Sequence, residues 1–194
     1  MWRMVNGMKQ MNLSATIEKI ALAQLIILFH LNINTINLLP DWIGYYLYYQ
    51  AIFVIEKYEK SASLLRPFAL ILGVYEGIAW LLQIIGISLE SMTLLQIFIA
   101  IISIYFQFQL LTNISQIASF HHHDDFAKRF LILRTMQVIS ITLVVFPTYW
   151  LIIQYMKIII TLFHIFVTIW LCYVLFQYSK KEKEYEDETL IKGY

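Results

Sequence analysis

The residues able to do chemistry are few, and most of them fall inside apolar stretches. His30, Glu76 and His164 each sit roughly ten residues in from the nearest expected end of such a stretch, about 15 Å at 1.5 Å per residue and so near the middle of a bilayer. A lone carboxylate at that depth is costly to ionise. Glu76 is therefore expected either to hold a proton or to pair with an imidazolium or another donor. Around it, Ala69, Gly73, Glu76, Trp80 and Gln83 recur at i, i+4, i+7, i+11 and i+14, one face of a helix, and Gly73-x-x-x-Gly77 admits a second helix closely. Gln96, Ala100, Ser103 and Gln107 form a similar stripe, and Lys157, Thr161, His164, Thr168 and Cys172 another, while His30, Asn34 and Asn37 add polar groups from an earlier stretch. If these faces converge, Glu76, His30, His164, Gln107 and Gln83 would bind a small polar solute or a proton. The same groups serve equally well as interhelical hydrogen-bond links of about 0.6 kcal/mol each.

A second constellation, His121-His122-His123-Asp124-Asp125, offers imidazole and carboxylate ligands suited to zinc, nickel or copper. Three consecutive histidines cannot reach one ion from a regular helix. The alternative is a hydrophilic turn whose aspartates stand at the positive N-terminus of the next helix. At most weak metal binding at His121, His122 and His123 is expected, and the sequence requires no cofactor. HExxH, GxSxG and Walker lysine loops are absent, and the single cysteine, Cys172, excludes an internal disulfide and a CxxC pair. Glu56 and Glu59 lie beside Lys57 and Lys60, which reads as interfacial charge and not as a paired-carboxylate active site. No enzyme activity is expected.

The elements that must position these residues follow from composition. Of 194 residues 60% are hydrophobic and only 14% charged, with 14 Lys plus Arg against 13 Asp plus Glu. Soluble domains carry roughly 25% charged residues, so this composition belongs in a bilayer. A net charge of +1, with no basic run interleaved with aromatics, excludes a polybasic nucleic-acid binder. Apolar stretches at 17 to 38, 42 to 56, 67 to 87, 91 to 112, 130 to 152 and 155 to 177 predict an all-α bundle of six transmembrane helices in one domain, residues 1–178, followed by a charged cytoplasmic tail, 179–194. The run from Ser179 to Glu188 reads as a solvated helical extension or a disordered tail. No cleavable signal peptide is expected in the first sixteen residues, and no internal repeat is visible.

With both termini cytoplasmic, six crossings place all but Lys157 of the 14 Lys and Arg residues on the inner side, as the positive-inside rule demands. The first stretch is interrupted by Gln24, His30, Asn32, Asn34 and Asn37, and the second is short and rich in tyrosine. They can instead form a re-entrant hairpin beside a four-pass core.

Asn37-Leu38-Leu39-Pro40-Asp41-Trp42-Ile43-Gly44-Tyr45, then Ser63-Leu64-Leu65-Arg66-Pro67 and Phe106-Gln107-Phe108-Gln109-Leu110-Leu111-Thr112-Asn113, resemble an uncharacterised family of small multi-pass membrane proteins from low-GC Gram-positive bacteria. The resemblance covers about residues 30 to 140 and implies a bacterial plasma membrane, with no catalytic residue to transfer. Size and six passes are also similar to the substrate-binding subunits of energy-coupling-factor vitamin transporters, a likeness of fold alone. Two functions are carried forward. One is a small-solute or proton-coupled transport or solute-binding component with an unidentified small-molecule ligand. The other is a non-enzymatic membrane interaction or sensor protein that meets a protein partner through its cytoplasmic loops.

Overall fold

A computed structural model describes residues 12–29, 32–33, 36–37, 40–86, 93–145 and 154–192. Six helices make up the fold: α1 (Leu13–Leu28), α2 (Asp41–Ile55), α3 (Leu65–Ile84), α4 (Thr93–Phe120), α5 (Asp124–Val145) and α6 (Gln154–Lys192). A 3-10 turn, Lys60–Leu64, leads into α3. Two strands of two residues each, β1 (Asn32–Ile33) and β2 (Ile36–Asn37), pair antiparallel between α1 and α2.

Local chemistry sets the helix ends. Asn12 caps α1, its side chain accepting from the Ala15 amide at 3.1 Å and its carbonyl from the Thr16 hydroxyl at 2.9 Å. α1 stops at Leu28, short of the expected residue 38. The segment beyond it is rich in asparagine, whose side chain competes with the backbone for hydrogen bonds and favours turns, and β1 and β2 form there instead. α2 follows the extended Pro40 and carries Asp41 in its first turn, where a carboxylate complements the helix dipole. Pro67 lies in the first turn of α3, where its missing N–H removes no bond. Between α4 and α5 the chain reverses in a tight turn with His122 in the left-handed region at φ 62°, and Asp124 and Asp125 open α5.

Each helix packs on its neighbours in sequence, and α6 closes the ring by packing on α1 as well as α5. The α3–α4 side is the thinnest. Tyr48, Phe106, Phe130 and Tyr178 are fully buried inside, whereas Leu70, Leu81, Phe98, Leu162 and Phe166 point outward and exposed. An apolar exterior of this extent is what a lipid surround demands.

Among the described residues three helices are long and apolar enough to cross a membrane: Lys60–Ile84, Leu94–Phe120 and Ile158–Glu188. α1 and α2, at 16 and 15 residues, reach only about 24 and 22 Å against a hydrocarbon core of about 30 Å. The expected tail is a helical extension, exposed at Lys180, Lys181, Lys183, Glu184, Asp187 and Glu188 but buried along one face. α6 runs unbroken to Lys192, and Ser179 and Glu182 on its late turns are each 1% exposed. That face is packed against the start of α1: Ser179 Oγ donates to the Ser14 carbonyl at 3.0 Å, and Glu186 Oε1 accepts from the Leu13 amide at 2.8 Å.

Candidate functional site

Polar side chains from α1, α2, α4, α5 and α6 meet around a cavity of about 160 Å³. Its wall includes Gln24 of α1, Tyr45 of α2, Ser103 and Gln107 of α4, Gln137 of α5, and His164 and Thr168 of α6. These positions fall in the half of the bundle where α1 and α5 end and α2, α4 and α6 begin, opposite the histidine turn.

Hydrogen bonds orient the wall. Gln24 Oε1 accepts from the Tyr48 hydroxyl and from Gln107 Nε2, the latter at 3.1 Å. The Gln107 amide is thereby fixed with its nitrogen committed to Gln24. Its Oε1 is buried and has no partner, although the residue is only 4% exposed. Across the cavity Gln137 Nε2 donates to Thr168 Oγ1 at 3.3 Å. Ser140 Oγ donates to the Gln137 carbonyl at 2.9 Å and lies 3.0 Å from His164 Nδ1. Because the single Ser140 proton is used on the carbonyl, His164 Nδ1 supplies the hydrogen between them, and Nε2 of a neutral imidazole is left an acceptor. The arrangement is a pocket with polar groups from five helices and one buried unpartnered acceptor, Gln107 Oε1.

Of the residues expected from the sequence, the structure brings Gln107 and His164 to this cavity. Glu76 does not line it. It lies half-buried on α3 and acts electrostatically on Tyr45, which does line the cavity. Gln83 is exposed on α3, and His30 lies outside the described residues. The physical reason is the place of α3, which packs through Ala69 and Leu72 at the edge of the ring, so its polar stripe flanks α2 and does not reach the interior. Sequence reading missed Gln24, Gln137 and Tyr45. Gln24 appeared only as an interruption of an apolar stretch. Gln137 and Ser140, three residues apart inside the stretch 130 to 152, carried a signal of the same kind as the stripes that were recognised.

The three histidines do not converge. His122 is exposed at its left-handed position, while His121 and His123 turn inward onto Glu182 of α6. His121 Nδ1 lies 2.6 Å from Glu182 Oε1, and His123 Nε2 lies 3.8 Å from Oε2. Tyr185 stacks on His121 at 5.1 Å, and Tyr58 meets its edge at 5.8 Å. Among the described residues no group of three His, Cys, Asp or Glu side chains is placed to hold a metal ion.

Burial holds the His123 imidazole below its ordinary value of 6.5, opposed by Glu182 and reinforced by His121. The folded state therefore prefers neutral His123. Its contribution is present above about pH 6.5 and is lost as pH falls through the lowered value. His123→Phe keeps a ring against Tyr178 and Tyr185, which meet His123 edge-on at 6.0 and 5.8 Å. This variant is expected to lose less melting temperature than wild type between pH 6.5 and 5. Parallel melting curves at the two pH values check it, and equal losses would contradict it.

Neither protein-family models nor curated proteins nor solved structures yield a match to this chain.

Proposed function

We propose that the chain is a plasma-membrane protein with six passes and both termini in the cytoplasm, acting as a small-solute binding or transport component whose ligand occupies the cavity around Gln107. One observation carries the reading: amides, hydroxyls and an imidazole share the wall of a cavity with Ile27, Leu28, Ile141 and Val144, and the buried acceptor Gln107 Oε1 on it is unsatisfied. Among the described residues Gln107 Oε1 is the one buried unpartnered side-chain atom on this cavity's wall. An orphan acceptor on a cavity suits a ligand, since leaving such a group unpaired costs about 1–3 kcal/mol. The charge distribution supports the orientation, with Lys157 alone among 14 basic residues on the outer side. α1 and α2, too short to span singly, would cross with β1, β2 and their flanking segments completing the path, or enter as a re-entrant pair.

The interaction or sensor reading is favoured by one feature, Phe120, which is 79% exposed at the end of α4 beside the histidine turn. A solute screen on purified protein in lipid nanodiscs separates the two. Under the solute reading some small solute raises the melting temperature of wild type and not of Gln107→Leu. That substitution removes one hydrogen bond and one orphan acceptor together, so the unliganded variant should stay within about 1 kcal/mol of wild type. A screen in which no small solute discriminates wild type from Gln107→Leu leaves the interaction reading in its place.

The orientation is tested by single cysteines in a Cys172→Ser background. Ser63, Ser119 and Lys181 are exposed and suit the inner side, whereas Ser179 is buried and would be shielded on either side. Cysteines at the three exposed positions should resist an impermeant thiol reagent in intact cells and react after lysis, and Ile85→Cys should react before lysis. Early labelling at any inner position overturns the orientation.

A further inference from the structure

We infer that the cavity takes an uncharged solute of about six non-hydrogen atoms that is rich in hydrogen-bond donors, such as a small amide or a short polyol, entering from the end opposite the histidine turn. This inference rests on the solute-binding reading and narrows it to a ligand class.

Size comes first. The cavity of about 160 Å³ matches the scale, roughly 150 Å³, of protein cavities that hold one benzene-sized molecule. Its wall mixes Ile27, Leu28, Ile141 and Val144 with amides, hydroxyls and an imidazole, and the buried unpartnered Gln107 Oε1 favours an occupant that can donate a hydrogen bond.

Charge is decided by what the wall lacks. Among the described residues no carboxylate, lysine or arginine lines the cavity. Glu76 and Asp41 act on Tyr45 electrostatically, but neither belongs to the wall. An ion transferred here would lose its hydration with no counter-charge, whereas a neutral solute gives up only hydrogen bonds that the wall replaces. The donor preference follows from the hydrogen-bond pattern. Gln107 Nε2 is spent on Gln24, Gln24 Oε1 already accepts twice, and the buried wall atom left without a partner is an acceptor, Gln107 Oε1.

Direction comes from what lies beneath. Toward the histidine turn, Ile17, Ile52, Leu110, Phe130 and Leu175, from five helices and each at most 1% exposed, fill the interior. The cavity is closed on that side and lies nearer the opposite end.

Protection of a wall cysteine tests the class. In a Cys172→Ser background, Ile141→Cys places a thiol in the apolar part of the wall. Its rate of modification by a small methanethiosulfonate reagent is measured in proteoliposomes with acetamide, glycerol, acetate or methylammonium. Acetamide and glycerol should protect at concentrations about tenfold or more below those required of the two ions. Gln107→Leu should erase that advantage. Gln107→Glu, nearly identical in shape and so the safer variant for folding, should shift protection toward methylammonium. Protection by the ions equal to that by the neutral probes overturns the ligand class while leaving a solute site. A reactive cysteine that no probe protects, or a cysteine that the reagent never reaches, overturns the class and the solute-binding reading together.

Discussion

His121→Leu should lower the stability of this protein by about 3–5 kcal/mol at neutral pH, because it strips a buried carboxylate of its hydrogen-bonding partner. Glu182 is 1% exposed, and its Oε1 sits 2.6 Å from His121 Nδ1. Its other oxygen lies 3.8 Å from His123, beyond hydrogen-bond reach, so His123 does not replace what His121 supplies. The loss is specific to breaking one side of the pair. Removing both sides, as His121→Leu with Glu182→Leu, substitutes apolar side chains into a site already walled by Tyr58, Tyr178 and Tyr185, and stability should return to within about 1 kcal/mol of wild type or exceed it. Unfolding curves of the four proteins in detergent give the coupling energy directly, expected above about 2 kcal/mol. Losses that simply add would mean that the pair contributes no coupling and that His121 acts through ring packing alone. The clasp matters for architecture because it joins the α4–α5 turn to α6, while the next helical turn of α6 holds the start of α1 through Glu186 and Leu13. These polar contacts add to the apolar packing of Leu13, Ile17, Phe130, Leu175 and Tyr178 at the same end of the bundle.

The second large effect is expected at Gly44, where the sign of one substitution separates two glycines. A Cβ at Gly44 would stand 2.6 Å from Ile27 Cγ1 and 2.9 Å from the Ala23 carbonyl oxygen. Neither atom is the tip of a flexible side chain, so α1 and α2 must move apart. Overpacking of this kind costs about 1–3 kcal/mol, and for Gly44→Val the second branch puts the loss at the upper end of that range or beyond it. At Gly77 the nearest atoms to an added Cβ are those of Trp42 at 3.9 Å, an ordinary contact. Gly77→Ala should therefore be neutral or stabilising by up to about 1 kcal/mol through helix propensity. Gly73, 3.3 Å from Tyr45 Cβ, should fall between them. Melting temperatures of the three alanine variants provide the ranking, and a Gly44→Ala protein as stable as Gly77→Ala would show that the α1–α2 approach is looser than described. Gly44 also adjoins the cavity wall through its neighbour Tyr45, so a variant that separates α1 from α2 should weaken solute protection as well.

Much of the scaffold was legible along the chain because helix formation here depends on short-range signals. Pro40, Arg66-Pro67 and Asp124-Asp125 mark starts through capping and dipole effects that act within one turn, whereas the Asn12 cap, ahead of the expected start at residue 17, was not read. The end of α1 was misread since hydropathy averages over a window: Ile33, Ile36 and Leu38 kept the stretch apolar while the asparagines between them favoured turns and a short strand pair. The reading of the late α6 residues as a solvated helix missed its one buried face for a related reason. Composition counts charges, but only the fold reveals that Glu182, amid Lys180, Lys181 and Lys183, faces inward to two histidines sixty residues away.

By itself, then, the sequence determined the solvent and the inventory: an apolar helical chain suited to a bilayer, and polar side chains recurring on helix faces. Those are properties of single segments, fixed by hydropathy and by a period of 3.6 residues. Only the tertiary structure decided which polar faces meet. Gln24, Gln107, Gln137 and His164 converge because α6 packs on both α1 and α5 and α5 packs on α4, and Glu76 is left off the wall because α3 packs mainly against α2. Depth along a helix can be counted in residues. Rotation of that helix toward one neighbour or another is set by side-chain packing, through contacts such as Gly44 on Ala23 and Tyr48 on Phe106 that join residues far apart in the chain.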